Sequence, residues 1–585
     1  MGELPKGGSF LLSQTDPGEV FTPEDFTQEH HMIFKMVTGF VEDNVLAHIE
    51  DLEAQKEGLI RQLLQAAGEL GLLGADIPEE YDGFELDKIS STLIAEGMGR
   101  AGSFAMTHGG QTGIGSLPIV LFGTPEQKRK YLPGIVTGAK IGAYALTEPG
   151  SGSDALAAKT KAVLSPDGKD YILNGTKQFI TNAGMADVFI VYAKVDGDKF
   201  SAFIVDSGIE GLSTGAEEKK MGIKGSSTRT LILEDVKVPA ENLLFEVGRG
   251  HVVAFNILNM GRYKLAANAL GNAKFALELA AGYANERQQF KTPIAHFGMI
   301  KEKLAEMALR IYAAESMVYR TGGLLDDMLQ SLNTTGVQVG QTVAKGIEEY
   351  AVECSINKVM ATEMQGYVVD EAVQIHGGYG FISEYPVERL YRDARIYRIF
   401  EGTNEINRTL IPTTLIRRAK KGDLALQEGM VKVEVQLKGT VPVRAGAAEL
   451  VEAAKDLFLF TLGSGLKILG DSLLMQQEIL GRLADLAIGA FAMESAWLRA
   501  QKALEREGQA AAKLKLTLAQ AYSYGQIGTL RLAAEEALAA MTEGPDLVER
   551  LAQINRLCQY VPINKVALRQ AIAAAVSEAG TYVVS

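Results

Sequence analysis

A multidomain α+β protein is predicted, built in the order helical, β, helical and again helical, and three observations carry that prediction. Apolar residues recur at helical spacing on both sides of a central stretch running from about 141 to 245. That stretch instead alternates like β-strands and is punctuated by the turns Pro166-Asp167-Gly168 and Asp196-Gly197-Asp198. Beyond residue 441 the chain is rich in Ala, Leu, Glu and Lys, again at helical spacing. At 585 residues, 47% of them hydrophobic, the chain exceeds what one core can hold and divides into three or four domains.

Taken in order, Thr22-Pro23-Glu24-Asp25 and Thr124-Pro125-Glu126-Gln127 read as helix starts. Each has a threonine N-cap, proline at the first helical position and acids in the first turn. The N-terminal helical domain is placed at 1–140 and the middle β domain at 141–248. A helical domain with long helices, among them Leu265 to Arg287 and Ile300 to Leu325, fills 249–418. Residues 419–440, opening with Ala419-Lys420-Lys421-Gly422-Asp423, have little periodicity and read as a linker. The last domain, 441–585, is a helical bundle, in which Ala510, Leu514 and Leu518 share one face with Lys513 and Lys515 off it.

Composition excludes several classes. A net charge of −14 argues against a nucleic-acid surface, which needs clustered Lys and Arg. Cys354 and Cys558 cannot make a disulfide framework and lack metal spacing, as packed thiols in a reducing compartment would. His30 and His31 are adjacent but have no ligand partners near them in sequence, so no metal is expected. Met1 to Lys6 contain no apolar leader, and the expectation is a cytoplasmic protein. No run of about 18 apolar residues is seen, so no membrane span is expected, though peripheral membrane contact stays open. The longest candidate, Leu457 to Gly470, is interrupted by Ser464 and Lys467 and reads as a core-facing helix.

Four segments carry the chemistry. In Ile396-Tyr397-Arg398-Ile399-Phe400-Glu401-Gly402-Thr403-Asn404 one carboxylate, Glu401, sits between an apolar run and a Gly-Thr turn. A carboxyl in apolar surroundings has its charged form disfavoured and its pKa raised, the condition a general base needs near neutral pH. Alone, the segment also reads as a helix end capped by Gly402. Next, Tyr144-Ala145-Leu146-Thr147-Glu148-Pro149-Gly150-Ser151-Gly152-Ser153-Asp154 enters a loop of glycines and hydroxyls. Such a loop lets backbone N–H groups approach a phosphate or a flat ring, although an ordinary turn fits equally. It has neither the P-loop lysine nor the Gly-x-Gly-x-x-Gly spacing. The third, Asn174-Gly175-Thr176-Lys177-Gln178-Phe179-Ile180-Thr181, reads as a hairpin-type turn running into a strand. The fourth, Gln374-Ile375-His376-Gly377-Gly378-Tyr379-Gly380-Phe381, precedes Glu384-Tyr385-Pro386-Val387-Glu388-Arg389.

In order and spacing these segments resemble the acyl-CoA dehydrogenases, from about residue 30 to residue 418. The resemblance implies an N-terminal helical domain, a β-barrel-like middle domain and a four-helix bundle, with FAD as cofactor and fatty acyl-CoA as substrate. It implies that Glu401 removes the α-proton of the thioester while the β-hydrogen leaves as hydride to the flavin, with electrons passed on to an electron-transfer flavoprotein. Tyr144, Leu146, Thr147, Gly152 and Ser153 then face the FAD, with Ser153 also on the CoA side, and Phe179 and Thr181 meet the isoalloxazine ring. Many relatives have Trp where this chain has Phe179. Arg287 and Phe290 match a pair meeting the FAD of a neighbouring subunit, Gln374, Gly377 and Gly378 a further dinucleotide contact, and Thr403 with Glu405 a contact following the base. Arg262 stands where relatives hold the CoA or the loop bearing the base, and Gly402 is placed on the substrate side. Some relatives carry the base at the position of Gly261, where glycine cannot serve.

Short relatives end near residue 418 and are mostly tetramers, whereas extended ones resemble the very-long-chain type and are dimers, so a homodimer is expected. Gly109-Gly110-Gln111-Thr112-Gly113-Ile114-Gly115 aligns with the helix that closes the acyl pocket. Several glycines there are consistent with a deeper pocket for a long acyl chain, or with a helix end. An acyl-CoA oxidase and a non-catalytic assembly protein are the alternative functions, and the presence of Glu401 argues against the second.

Overall fold

The computed structural model describes residues 4–332 and 339–584. Helices α1 (Gln28–Phe40), α2 (Ile49–Glu53), α3 (Leu59–Glu69), α4 (Lys88–Met98), α5 (Ser103–Gly109), α6 (Leu117–Phe122) and α7 (Pro125–Val136) form the N-terminal domain. At α7 the Thr124 hydroxyl accepts from the Gln127 N–H and the Gln127 side chain accepts from the Thr124 N–H, the reciprocal cap that the sequence implies. The start expected at Thr22 is only a 3₁₀ turn over Pro23–Asp25, and α1 begins five residues later, capped by Thr27. Between α5 and α6, Gly110–Gly115 winds as a wide π-helical turn.

The middle domain holds β1 (Gly142–Ala145), β2 (Lys161–Leu164), β3 (Asp170–Thr181), β4 (Val188–Val195), β5 (Lys199–Asp206), β6 (Leu212–Thr214), β7 (Thr228–Pro239) and β8 (Leu243–Leu244). They form one mixed sheet ordered β6-β7-β3-β2-β4-β5-β8, with β1 parallel to β4. The strand period of two splits β4 between two cores. Phe189, Val191 and Ala193 join residues of β3, β5 and β7 in a core enclosed by the curled sheet, while Val188, Ile190 and Tyr192 pack toward the helices. The turns at 166–168 and 196–198 connect β2 to β3 and β4 to β5 as expected. Asn174-Gly175 is not a turn: it lies inside β3 at a shift of register against β7. The glycine is needed there for contact, because a β-carbon would lie 2.4 Å from Thr160 Oγ1.

The third domain contains α8 (Gly250–Glu286), α9 (Gly298–Ser331), α10 (Val339–Glu349), α11 (Ala351–His376), α12 (Pro386–Ala394) and α13 (Asn404–Lys421). Helices α8 and α9 extend well beyond the spans expected from periodicity. Between them a hairpin of β9 (Gln288–Gln289) and β10 (Thr292–Pro293) turns through Phe290 and Lys291, both with positive φ.

The segment expected as a linker is mostly helix. Residues Leu426–Lys438 form α14, which buries Leu426, Met430, Val433 and Leu437. The extra domain continues with α15 (Ala447–Leu469), α16 (Gln477–Ala539), α17 (Gly544–Leu557) and α18 (Lys565–Ala579). Helix α16 breaks at Gly508, which has φ of 82° and ψ of 171°, and Leu530 then packs on Gly489, so its two halves run antiparallel. On the face expected to be apolar, Leu518 is buried and Leu514 half-buried, but Ala510 beside the break is exposed. The stretch Ala447–Met475 is long and apolar enough to cross a membrane by composition, contrary to the expectation that no segment qualifies. Here Leu450, Leu457, Phe458 and Leu462 of α15 are fully buried in the core.

A buried ion cluster fastens this domain to the others. The fully buried Arg499 of α16 donates through Nε to both Glu24 carboxylate oxygens at 2.9 and 3.0 Å, through Nη1 to Glu315 on α9, and through Nη2 to the Val584 carbonyl at 2.6 Å. Tyr582 also donates to Glu315, at 2.8 Å. Lys274 on α8 bridges Glu315 and Glu96. Attraction to these cations holds Glu24 and Glu315 below the usual carboxylate range, although burial works the other way.

Candidate active site

Glu401 lies where the chain reverses between a short 3₁₀ turn, Arg395–Arg398, and α13. The reversal uses two left-handed residues in a row, Glu401 with φ of 56° and Gly402 with φ of 77°. The left-handed conformation costs a non-glycine residue about 1 kcal/mol or more, so surrounding contacts must impose it. Three side chains do so. Arg262 Nε donates to the Glu401 carbonyl at 3.2 Å, Lys358 Nζ to the Gly402 carbonyl at 2.8 Å, and Asn407 Nδ2 to the same carbonyl at 2.9 Å. Thr403 caps α13, its hydroxyl accepting from the Ile406 N–H at 3.2 Å.

This turn throws the Glu401 side chain back over α8. A β-carbon built on Gly261 would lie 2.6 Å from Glu401 Oε2, so the carboxylate occupies the space that any side chain at 261 would take. The residue keeps some exposure to a cavity, while Oε2 itself is enclosed and has no hydrogen-bond partner. Burial pushes the Glu401 carboxyl up to about 7, and the nearby Arg262 and Lys358 cations work in the opposite direction without overcoming it. An enclosed, unpartnered carboxyl that titrates near neutrality is equipped to accept a proton. Burial likewise lowers the Lys358 ammonium to about 7.

The cavity that Glu401 faces has a volume of 2090 Å³, beyond the ~300–1,000 Å³ of an ordinary ligand pocket and large enough for two sizeable molecules. It brings together Tyr144, Leu146, Thr147, Gly152, Ser153, Phe179, Thr181, Arg262, Gly402 and Thr403 from four separate segments of the chain. Phe179 is 61% exposed and has φ of 59° at a second register shift between β3 and β7. The buried Tyr144 hydroxyl has no partner, and burial first, then Tyr192 and Glu401, drives its pKa far upward. Behind the glycine loop Glu148 accepts from the Lys159 N–H at 2.6 Å, the Thr160 hydroxyl at 2.5 Å and Lys177 Nζ at 2.7 Å, which fixes the loop at its base.

Other expected residues gather elsewhere. Arg287, Gly377 and Gly378 line a separate groove of 440 Å³ with Tyr283, His376 and Tyr379, and the Arg287 guanidinium lies 5.6 Å from the Tyr379 ring centre. Phe290 projects from the hairpin tip, 91% exposed, and Gln374 is exposed beside the groove without lining it. Glu405 does not reach the cavity either. It is exposed on the first turn of α13, where its own N–H and the Thr403 hydroxyl lower its pKa. Sequence reasoning missed Lys358, Asn407 and Asn259, the last of which accepts from Arg262 Nη1 at 3.0 Å. The one hint for Lys358 was a polar run, Ser355-Ile356-Asn357-Lys358, inside an apolar helix.

Consecutive stretches of the chain match the acyl-CoA dehydrogenase N-terminal domain over residues 27–139, the middle domain over 143–236 and the C-terminal domain over 248–416, with a further C-terminal domain over 453–556. The chain belongs to the acyl-CoA dehydrogenase family. It is 52% identical over 588 residues to the "Probable acyl-CoA dehydrogenase" of Bacillus subtilis (strain 168), covering 100% of this chain and 99% of that protein. It is 34% identical to the human mitochondrial very long-chain specific acyl-CoA dehydrogenase, covering 92% of this chain and 83% of that one. Among solved structures, the Bacillus anthracis acyl-CoA dehydrogenase complexed with FAD has a TM-score of 0.97 at 52% identity, over 99% of this chain and 100% of that one. Butyryl-CoA dehydrogenase from Megasphaera elsdenii matches 67% of this chain and 99% of its own length, with a TM-score of 0.61 and 37% identity. Membership in this family of FAD-dependent enzymes makes the protein an oxidoreductase and accounts for a cavity built around one poised carboxyl.

Proposed function

We propose that this acyl-CoA dehydrogenase desaturates long-chain fatty acyl-CoA thioesters to trans-2-enoyl-CoA in fatty acid β-oxidation, and that its electrons go to an electron-transfer flavoprotein. The observation that carries the reading is Glu401, a base held over α8 at the centre of the cavity with a carboxyl raised to about 7. The α-hydrogen of a thioester is weakly acidic, so a base of this strength is needed to take it, and donors must meet the charge that develops on the carbonyl oxygen.

The residues lining the rest of the cavity fit FAD. The open Gly152 and Ser153 segment lets backbone N–H groups come close to phosphate, the exposed Phe179 ring offers a face for a flat tricycle, and the Tyr144 hydroxyl lacks a partner. When bound, FAD supplies the acceptor for the β-hydrogen and its electron pair. Phe179 shields that region from water, while Arg262 and Lys358 hold the loop that aims Glu401.

A long acyl group is favoured by the inner limb of the cavity, lined by Ile94, Ala95, Met106, Ile114, Leu258 and Leu265. Gly109 and Gly113 border this space, and a β-carbon on either would have nothing within 4 Å. The projecting Phe290 and the groove at Arg287 suit a second copy of the chain completing a dinucleotide site, consistent with a homodimer. The test is anaerobic bleaching of the purified flavoprotein by acyl-CoAs of increasing length. We expect the fastest bleaching with long chains. A maximum at short chains contradicts the role given to the inner limb, and hydrogen peroxide formed in proportion to enoyl product contradicts transfer to a flavoprotein.

A further inference from the structure

The contacts that hold the base in place continue away from the cavity. Lys358 Nζ, which donates to the Gly402 carbonyl, also donates to Asn404 Oδ1 at 2.6 Å. Asn404, the first residue of α13, is buried, and its Nδ2 donates onward to Glu363 Oε1 on α11 at 3.1 Å. Glu363 in turn takes both ends of the Arg408 guanidinium, accepting from Nη1 at 2.5 Å and from Nη2 at 2.9 Å. The remaining nitrogen of Arg408 leaves this domain: Nε donates to Asp485 Oδ1 on α16 at 2.7 Å.

An unbroken series of polar contacts thus runs from the loop bearing the base to the extra domain, through Lys358, Asn404, Glu363, Arg408 and Asp485. None of these five side chains lines the cavity. Asp485 is itself held from behind. Arg482, three residues earlier, lies 3.6 Å from it and 2.6 Å from Glu536 in the second half of α16, so the contact is anchored to both arms of that helix. Apolar packing joins the same elements, with Ile411 and Leu415 of α13 in one core with Leu480 and Leu483 of α16.

Placement matters more here than at an ordinary helix start. Glu401 and Gly402 both hold left-handed backbone, which a glutamate adopts only where contacts impose it, and α13 begins two residues after Gly402. A shift of α13 therefore carries the Glu401 carboxylate with it. The two-pronged pairing of Arg408 with Glu363 fixes the orientation of the guanidinium as well as its distance, and so aims Nε at Asp485. Arg408 and Asp485 are only 23% and 28% exposed, so water competes for this contact less than for a surface pair.

We propose that the extra domain braces the loop bearing the base, with Asp485 and Arg408 as positioning residues that set the placement of Glu401 through Glu363, Asn404 and Lys358. This rests on the reading of Glu401 as the base and adds to it a task for the extra domain. Neither Asp485 nor Arg408 lines the cavity, and what they fix is the start of α13. Loss of the brace slows proton removal without altering what the cavity binds.

The test compares the FAD-loaded parent with Asp485→Ala, Asp485→Asn and, as a control, Lys420→Ala. Lys420, near the far end of α13, also pairs with the extra domain, with Asp471 at 2.5 Å, but it has no contact with Asn404. Asp485→Ala is expected to lower the limiting rate of flavin bleaching by a long-chain acyl-CoA about tenfold, with the half-saturating concentration unchanged, because a misplacement of ~1 Å at a reacting group is worth up to about a hundredfold. Asp485→Asn, which keeps an acceptor for Arg408 Nε, should recover most of the rate, and Lys420→Ala should match the parent. Added to Lys358→Met, Asp485→Ala should cost nothing further, since both act through one series of contacts, whereas independent effects would multiply. Hydrogen exchange reads the loop without turnover. The Ile406 and Asn407 amides, both bonded to Thr403, should exchange about tenfold faster in Asp485→Ala and at the parent rate in Lys420→Ala. Unchanged exchange in Asp485→Ala, an unchanged bleaching rate in that variant of an active enzyme, an equal loss in Lys420→Ala, or multiplying effects in the double variant overturns the proposal. Faster exchange in Asp485→Ala, with a parent that is bleached by no acyl-CoA, would refute the reading of Glu401 as the base while upholding the brace.

Discussion

Replacing Glu401 with glutamine is expected to lower the rate of flavin bleaching by acyl-CoA roughly a thousandfold, while FAD remains bound. The amide keeps the shape that sits over Gly261 but cannot accept the α-proton. Stability should move the other way. Raising a buried carboxyl from 4.5 to about 7 costs the folded state about 3 kcal/mol once the pH is above 7, and a neutral amide does not incur that cost. Attraction to Arg262 and Lys358 is already included in that shift, but the amide leaves a buried polar group without a partner where Oε2 sits, so the net gain is smaller, roughly 1–2 kcal/mol. Rapid-mixing absorbance and thermal unfolding check the two parts. A variant that bleaches at the parent rate would show that another group is the base.

The second large effect concerns stability. Arg499→Met is expected to destabilise the protein by about 3–5 kcal/mol, because it leaves Glu24 and Glu315 buried without the cation they share. Both carboxyls are held below their ordinary values in the parent. Their contribution is therefore present above pH 4.5 and lost as the pH falls through the lowered values; the variant should lack this advantage and be penalised most at neutral pH. Urea unfolding followed at several pH values measures it. A loss under about 1 kcal/mol would mean that apolar packing of α16 against α9, rather than the ion cluster, holds the extra domain in place.

Much of the architecture was legible because it is written in local chemistry. The cap at Thr124 and the turns at Gly168 and Gly197 need only neighbouring residues, and the structure has them where the sequence puts them. Asn174-Gly175 misled because this dipeptide usually marks a hairpin turn, whereas here the glycine serves a contact with Thr160, fifteen residues away in sequence. Reading 419–440 as a linker overlooked a signal that was present: Leu426, Met430, Val433 and Leu437 follow a 4-3-4 spacing, which Gly429 and the lysines partly conceal.

At the site, the apolar setting of Glu401 pointed to a raised pKa, and the structure supplies its cause. The overlap with Gly261, 140 positions earlier, and the grip of Lys358, 44 positions before Gly402, depend on helices α8 and α11 meeting the reversal at Glu401. No local pattern encodes that meeting. Glu405, which the resemblance links to the cofactor, is exposed on the first turn of α13 and does not line the cavity of the single chain.

The central claim is that Glu401 is a buried base titrating near neutrality, and the pH dependence of single-turnover flavin bleaching tests it most directly. Protonation disables the base, so the bleaching rate under kcat/KM conditions should rise with pH along a limb centred near 7 and level off above it, falling to about a tenth of the plateau at pH 6. A rate that stays flat down to pH 5, as an ordinary exposed glutamate near 4.5 would give, contradicts the account.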